Sequence, residues 1–481
     1  MRPLSPVFAL LSLLSLLPAR ARAQRAPNDP AAVALIARAV TRMGGEEALR
    51  GIRTIRIDVM TQWQRTALGA HPYADLPSFE RHADLRDYTA NAWRNTRAFL
   101  PAGGSVDIVR DTVGARSLSL GGRRTEMPLN LAYVDERREL WAFAPERTLL
   151  AARDAGGLRV AADTTIDGVQ HARISTVVDG FPATWFLRRT DGLPAMVRFR
   201  ANETNDFGLA PWGEMEVEIW YSGWTSVAPG LLLPRQRDVR RVGRPYKRMT
   251  ALAIAVNVPA PADSFAIADS LVSAYLARER RPMWAVPLDS ARLVDETFAT
   301  FPPFVGVAGA VRVGGQWVLL ETGQADGAAR AASEWLARQS PHAKVAAAII
   351  TNTGTSNGGV GGLTARRIAV HVAPGAEPLV RTILRHSGGG PHASIAIVRR
   401  PQWLRVGSDS LWLEPVDLPD APGTMMVYSP TLRWLYSAAG VGRPVTQVEQ
   451  DAMIGRLVAR GLRVEWIGNA RSIRAPLTGR P

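Results

Sequence analysis

Between Ile52 and Asn257 apolar and polar residues repeatedly alternate with a period of two, and this limits the fold more than any other feature. In the first run Ile55, Ile57 and Val59 fall on one side. Further strand-like runs lie near 105–110, 115–120, 158–162, 170–178, 183–189, 195–200, 214–221 and 248–257. Turn residues separate many of them, as at Asp154-Ala155-Gly156-Gly157 and Asp191-Gly192. A helix over 30–43 precedes them. Asp29 supplies its N-cap, Pro30 its first turn and Gly44-Gly45 its stop, and Val33, Ile36, Ala37 and Val40 share one face. A short helix at 46–50 ends at Gly51. One helix followed by many antiparallel strands predicts a curved sheet wrapped on a helix.

From about residue 286 strands alternate with helices. Runs at 307–313 and 317–322 are strand-like, 325–338 reads as a helix, and 345–351 is a continuous apolar run suited to a buried strand. A strand at 367–373, a helix at 375–386, a strand-rich section at 395–437, a helix near 446–461 and a strand at 463–468 follow. This order predicts a layered α/β sandwich. Pro259, Pro261 and Pro282 punctuate a connection at 258–285, with a short helix expected at 267–278. The expected organisation is therefore a sheet domain at 24–257, a linker at 258–285 and a second domain at 286–481.

Composition narrows the chemistry. The 481 residues are 46% hydrophobic and 21% charged, which suits a globular chain. The absence of cysteine excludes disulfide scaffolds, cysteine nucleophiles and thiolate metal sites. Only seven histidines occur, and none follows His392. The net charge is +15, and Lys247 and Lys344 are the only lysines. The arginines are spread along the chain without a long basic run or a basic–aromatic stripe, so no nucleic-acid partner is expected. Net positive charge favours an anionic envelope surface. Arg2, the apolar run Val7–Leu17 and the small residues of Ala21-Arg22-Ala23 read as a signal peptide over 1–23, cleaved before Gln24. That run is too short to span a bilayer, and no later stretch of about twenty apolar residues occurs. A periplasmic or secreted protein that does not span the membrane is expected.

Two stretches, TWFLRRTDGLPAMVRF at 184–199 and EVEIWYSGWTSVAPGLLLP at 216–234, resemble the paired strands of the LolA/LolB-like lipoprotein-carrier fold. That family's open half-barrel around a helix implies an apolar concavity and a lipid or acyl ligand. In the second half, WVLLETG, a helix, then KVAAAIITNTGTSNGGVGGL resembles the metallo-β-lactamase superfamily. The resemblance continues through MMVYSPTLRWLYSA and covers roughly 290–475. It implies an αββα sandwich. In active members the strand after the first helix ends in T-H-x-H-x-D-H and Gly-Gly, and those residues bind one or two zinc ions. Imidazoles and a carboxylate hold the metal and leave a position for an activated water.

Here that position reads Thr351-Asn352-Thr353-Gly354-Thr355-Ser356-Asn357-Gly358-Gly359. Anchored on Thr351, the ligand positions fall on Asn352, Gly354, Ser356 and Asn357. Anchored on Gly361-Gly362-Leu363, they shift by two residues. Neither register supplies a histidine or a carboxylate. Asp420 is the nearest residue to the next ligand, Ala438 and Ala439 stand at the bridging aspartate, and Asn469 lies near the last histidine. No zinc, no other cofactor and no catalytic residue are therefore expected. Asn352, Ser356, Asn357, Asp420 and Asn469 are the candidate residual pocket. His371, His386 and His392 show no HxH or HxxxH spacing and read as core or surface histidines. The reading is an exported, non-catalytic binding or scaffolding protein for an unknown small molecule or lipid. A hydrolase with a rebuilt site and a periplasmic lipid or lipoprotein carrier are the alternatives.

Overall fold

The computed structural model describes residues 27–65, 76–98, 103–129, 143–178, 181–202, 214–241, 243–277, 288, 290–301, 309–323, 326–352, 357–386, 395–416, 418, 423–438, 446–469 and 472–477. The expected leader at 1–23, Ser356 and Asp420 lie outside these residues. The fold is mostly β, with one large antiparallel sheet, two smaller mixed sheets and a few helices.

The large sheet is built from two meanders. Thr54–Arg65 (β1), Leu76–Asp87 (β2), Ala92–Ala98 (β3), Gly103–Arg110 (β4), Val113–Leu120 (β5) and Arg123–Pro128 (β6) form the first. Arg159–Ile166 (β7), Val169–Val178 (β8), Phe181–Arg188 (β9), Pro194–Asn202 (β10), Glu214–Ala228 (β11), Leu231–Arg241 (β12) and Arg244–Val256 (β13) form the second. Antiparallel pairing of β1 with β13 joins them into 13 strands.

The second meander curls around helices. Pro30–Met43 (α1) starts where the sequence predicts, with the Asp29 side chain accepting from Ala31 N, and it stops at Gly44 with φ 131°. Its buried face, Ile36, Ala39, Val40 and Met43, meets Trp185, Val197, Ile219 and Leu233 of the sheet. Glu46–Arg50 (α2) and Pro145–Ala155 (α3) add Leu49, Leu149 and Leu150 to the same core. Each such side chain contributes about 1.5–3 kcal/mol by leaving water. Helix α3 is not expected from the sequence, since its charged residues mask a short apolar stripe.

The first meander departs from the expected polarity. On β2 the buried positions are His82, Asp84 and Arg86, while Phe79 on the other face is 68% exposed. The apolar alternation that marks a half-buried strand is absent there, so β2 escapes a pattern search. Asp269–Leu276 (α4) covers part of this wing, because Tyr275 packs with Trp93, Val109 and Leu129. A helix inside the expected linker therefore belongs to the packing of the first sheet.

The remaining chain is layered. One mixed sheet holds Arg292–Leu293 (β14), Phe298–Thr300 (β15), Gly309–Val313 (β16), Gln316–Leu320 (β17), Val345–Ile350 (β18), Ala369–Val372 (β19) and Ile395–Ile397 (β20). The other holds Gln402–Val406 (β21), Asp409–Pro415 (β22), Met425–Ser429 (β23), Trp434–Tyr436 (β24), Trp466–Gly468 (β25) and Ala475–Pro476 (β26). Val311, Val318, Leu320 and Ile349 of the first meet Leu413, Val427 and Trp434 of the second. Outside the first lie Asp326–Gln339 (α5), Val360–Thr364 (α6) and Glu377–His386 (α7), with Ala332, Leu336, Val360 and Val380 in its outer core. Outside the second lies Gln447–Val458 (α8), which buries Met453, Ile454 and Leu457 and begins with a Thr446–Glu449 capping box. Helix α7 faces two ways, because its Leu379 and Ile383 join the core of the large sheet.

The two small sheets meet at a pair of hairpin turns. Gly314 in the β16–β17 turn has φ 52°, and Gly407 in the β21–β22 turn has φ 56°. A Cβ on Gly314 would run into the backbone of Val406, Ser408 and Asp409, and one on Gly407 into Gly314 O. Gly314→Ala is expected to destabilise the protein by about 2–4 kcal/mol, from left-handed strain plus a backbone clash that cannot relax. Urea unfolding would measure it, and a change under about 0.5 kcal/mol would rule the contact out as a constraint.

Candidate functional site

The candidate site lies where β17 and β18 run parallel and end together. Just beyond β17 stands Glu321, 1% exposed and held at φ 65°. Its amide donates to Ile349 O at 2.9 Å, which fixes it against the neighbouring strand. Positive φ costs an ordinary residue of order 1–3 kcal/mol, so the surrounding bonds must hold it there. They come from Thr351, just past β18. Thr351 N and Oγ1 donate to Glu321 Oε1 at 3.1 and 2.6 Å. Thr351 Oγ1 accepts from Ala438 N at 2.9 Å, and Thr351 O accepts from Met425 N at 3.1 Å. Thr351 thus ties the end of one small sheet to the end of the other.

Among the described residues no cation pairs with Glu321. Burial pushes its carboxyl up to about 8, against the pull of the bonds from Thr351 and the Asn352 side chain. The group is therefore mainly protonated at neutral pH. Asn352 lies close enough to lower the pKa, yet Oε2 has no aligned hydrogen-bond partner. The Tyr436 hydroxyl is raised well above its ordinary value, first by burial and then by Glu321. Tyr436 Oη is likewise buried without a hydrogen bond.

The expected pocket residues separate into three groups. Asn352 and Asn357 are both buried and close together, with Asn357 Nδ2 donating to Asn352 O at 3.4 Å. Asn357 also bridges to Gly323, and Gly359 N donates to Gly323 O at 3.1 Å, so the loop beyond β18 is stitched to the loop beyond β17. Asn469 is exposed and organises its own turn, where its Oδ1 accepts from Ser472 N at 3.0 Å. Ser356 and Asp420 are not among the described residues. Sequence reasoning missed Glu321 and Tyr436. The signal for Glu321 was present, as an acid directly after the apolar run of β17.

A zinc ion in this place would need imidazole or ionised carboxylate donors. The described loop offers amides, a hydroxyl and one protonated carboxyl engaged by Thr351, and this set does not fit the metal. Among the described residues no group of three His, Asp or Glu is placed to hold a metal ion. His371 lies on β19, and burial lowers its pKa.

A second polar cluster occupies the first meander. Inward side chains of β1, β2, β3 and β13 line a small recess with room for about one water molecule. His82 Nδ1 stands 3.3 Å from Glu80, although not aligned for a hydrogen bond, and Arg97 Nε stands 3.1 Å from the same carboxylate. Arg86 Nη2 stands 3.6 Å from Asp84, and Asn95 Nδ2 donates to Asp84. Asp107 on β4 takes Arg116 through two bonds of 2.6 and 2.8 Å. Deeper in, Glu146 of α3 accepts from Tyr88 Oη at 2.9 Å and faces Arg237 at 3.6 Å.

No protein-family model matches the chain, and no curated protein matches its sequence. Solved structures give distant similarities. An outer membrane lipoprotein-sorting protein domain from Vibrio parahaemolyticus is 9% identical, with 49% of this chain and 97% of that one covered at TM-score 0.31. A DUF1329 family protein from Desulfovibrio piger is 10% identical, with 50% and 98% covered at TM-score 0.32. A metallo-β-lactamase from Pontibacter korlensis is 12% identical, with 39% and 91% covered at TM-score 0.29. What these proteins do does not carry over to this chain at such distances.

Proposed function

We propose that this chain is an exported binding or scaffolding protein, periplasmic or secreted, whose second part keeps a metallo-β-lactamase-like layering without zinc and without that superfamily's hydrolysis. One observation carries this reading. The carboxylate directly beyond β17 is Glu321, and it is buried, engaged by Thr351 and raised to about 8. A proton on that carboxyl competes with a divalent ion, and among the described residues no group of three His, Asp or Glu stands there to complete a zinc set. The amides of Asn352 and Asn357 are weak donors to zinc but supply both donors and acceptors for a neutral ligand.

The reading predicts substoichiometric zinc in protein expressed with excess zinc, and no chelator-sensitive turnover of β-lactams or esters. Elemental analysis and a hydrolysis assay on one preparation check both. One bound zinc per chain with turnover lost on chelation would overturn it.

A periplasmic lipid or lipoprotein carrier is the second reading, and it requires a continuous apolar concavity in the large sheet. Helices α1 to α3 fill the apolar face of the second meander, so the described residues leave no open apolar trough there. The first meander instead turns polar side chains inward around a recess. Among the described residues no helix is long and apolar enough to cross a membrane.

A further inference from the structure

The outer face of the large sheet, opposite its helices, is interrupted where β12 meets β13. The register shifts between Val239, which faces Lys247, and Arg240, which faces Pro245. Tyr246 is therefore an extra residue. Tyr246 and Lys247 both turn to the inner side, where the Tyr246 ring meets Trp63 edge-on at 5.6 Å and Lys247 Nζ lies 5.2 Å from the same Trp63 ring. Two consecutive side chains on one side mark a β-bulge. They leave the outer face of β13 bare between Arg248 and the ring of Pro245. The result is a pit of about 150 Å³, bordered by Gln62 and Gln64 of β1, Asp238 and Arg240 of β12 and Arg248 of β13. One water needs roughly 10–15 Å³, so the pit has room for a small organic molecule.

The polar groups of this pit divide into engaged and free. Arg248 holds Asp238 through two bonds of 3.0 Å, and Gln236 Nε2 donates to the same carboxylate. Arg240 lies over the Trp220 ring, 4.9 Å from its centre, and no carboxylate pairs with it among the described residues. The acid opposite it in register, Glu218, is taken by Arg198 at 2.7 Å and by Trp220 Nε1 at 2.9 Å. Gln62 and Gln64 are half-buried and project to the same side of β1, and their amides have no hydrogen-bond partner among the described residues. Beside Gln62 on β2 stands Phe79, 68% exposed. Because Arg248 already occupies Asp238, the pit does not suit a metal cation, and its polar walls do not suit an acyl chain.

We propose that the pit binds an acidic sugar, a uronic-acid residue, whose carboxylate pairs with Arg240, whose hydroxyls bond the amides of Gln62 and Gln64, and whose apolar ring face lies toward Phe79. The planar guanidinium matches the two oxygens of a carboxylate. Each amide both donates and accepts, as sugar hydroxyls do. The C–H face of a pyranose ring packs on an aromatic side chain. A free sugar acid and one residue of an acidic polysaccharide share this chemistry. The inference rests on the reading of this chain as a binding protein, and it names a ligand class and a place for it apart from the strand ends at Glu321.

The test is calorimetric titration of the full chain with galacturonate, with its linear tetramer and with neutral galactose. Saturable binding of at least one acidic probe is expected, with galactose at least about tenfold weaker for want of the charged bond. Arg240→Ala should weaken the acidic probes by at least about tenfold, and Gln62→Ala combined with Gln64→Ala by at least about threefold. Arg123→Ala, on the edge strand β6, should leave binding unchanged. Urea midpoints check that each variant is folded, and the glutamine pair decides the matter if Arg240→Ala is not. A tetramer at least about tenfold tighter than galacturonate identifies a polysaccharide, and a smaller difference identifies a free sugar acid. Three results overturn the proposal: no saturable binding of either acid up to about 10 mM, galactose binding as tightly as galacturonate, or unchanged affinity in the folded pit variants. Loss of the sugar site would leave the zinc measurement untouched, and zinc-dependent turnover would leave sugar binding in place, so the two readings fail separately.

Discussion

Glu321→Gln is expected to remove a stability loss that the native protein suffers as pH rises from about 5 to about 9. The folded carboxyl titrates at about 8, against an ordinary value of 4.5. It therefore holds its proton more tightly in the folded chain than in the unfolded one. Its contribution is complete below 4.5, shrinks as pH rises through the interval, and is gone above about 8. The full span is on the order of 5 kcal/mol. Glutamine keeps an Oε1 to accept from Thr351 N and Oγ1 and has no proton to lose. The variant should match the native protein at pH 5 and exceed it by several kcal/mol at pH 9, as read from urea midpoints. Parallel curves across that range would show that Glu321 is already ionised when folded.

The second large effect is expected at Glu146, which is 0% exposed. It stands 3.6 Å from Arg237 and contributes to the charge around Arg86. Burial works to lower the Arg86 pKa, but Tyr88, Asp84 and Glu146 outweigh it and the net shift is upward. Glu146→Ala removes the carboxylate facing Arg237, leaves Arg86 with Asp84 alone of its two carboxylates, and takes away the acceptor of Tyr88 Oη, and should cost about 3–5 kcal/mol. Glu146→Gln keeps that acceptor without the charge and should fall between. Chemical denaturation of both variants separates the two contributions. A loss below about 1 kcal/mol for the alanine variant would mean that water replaces the carboxylate.

Some of this was legible in the residues. Helices α1 and α2 fall where their caps place them, because Asp29, Pro30, Gly44 and Gly51 act locally. The buried strand β18 is legible from its unbroken apolar run. Strand β2 was not, because its inward residues are charged and a hydrophobicity pattern registers a sheet only where its covered face is apolar. At the strand ends, Asn352 and Asn357 could be picked out as polar residues in an expected ligand loop. The role of Glu321 could not, since its raised pKa depends on how deeply two sheets bury it. The partners Ala438 and Met425 are far from it in sequence and reach it through Thr351.

The seam between β1 and β13 sets an order on assembly. Every other pairing in the large sheet joins consecutive strands, whereas Ile55 pairs with Val256. Each meander can zip from its own hairpins at modest entropic cost. The seam waits on closing a loop of roughly 200 residues, a slow step of high contact order. Until it closes, β1 and β13 both present unpaired backbone edges, one of them carrying Ile55, Ile57 and Val59. A newly made chain is then most open to strand exchange with a second copy, and most dependent on holding factors, in the interval between hairpin formation and closure of that seam.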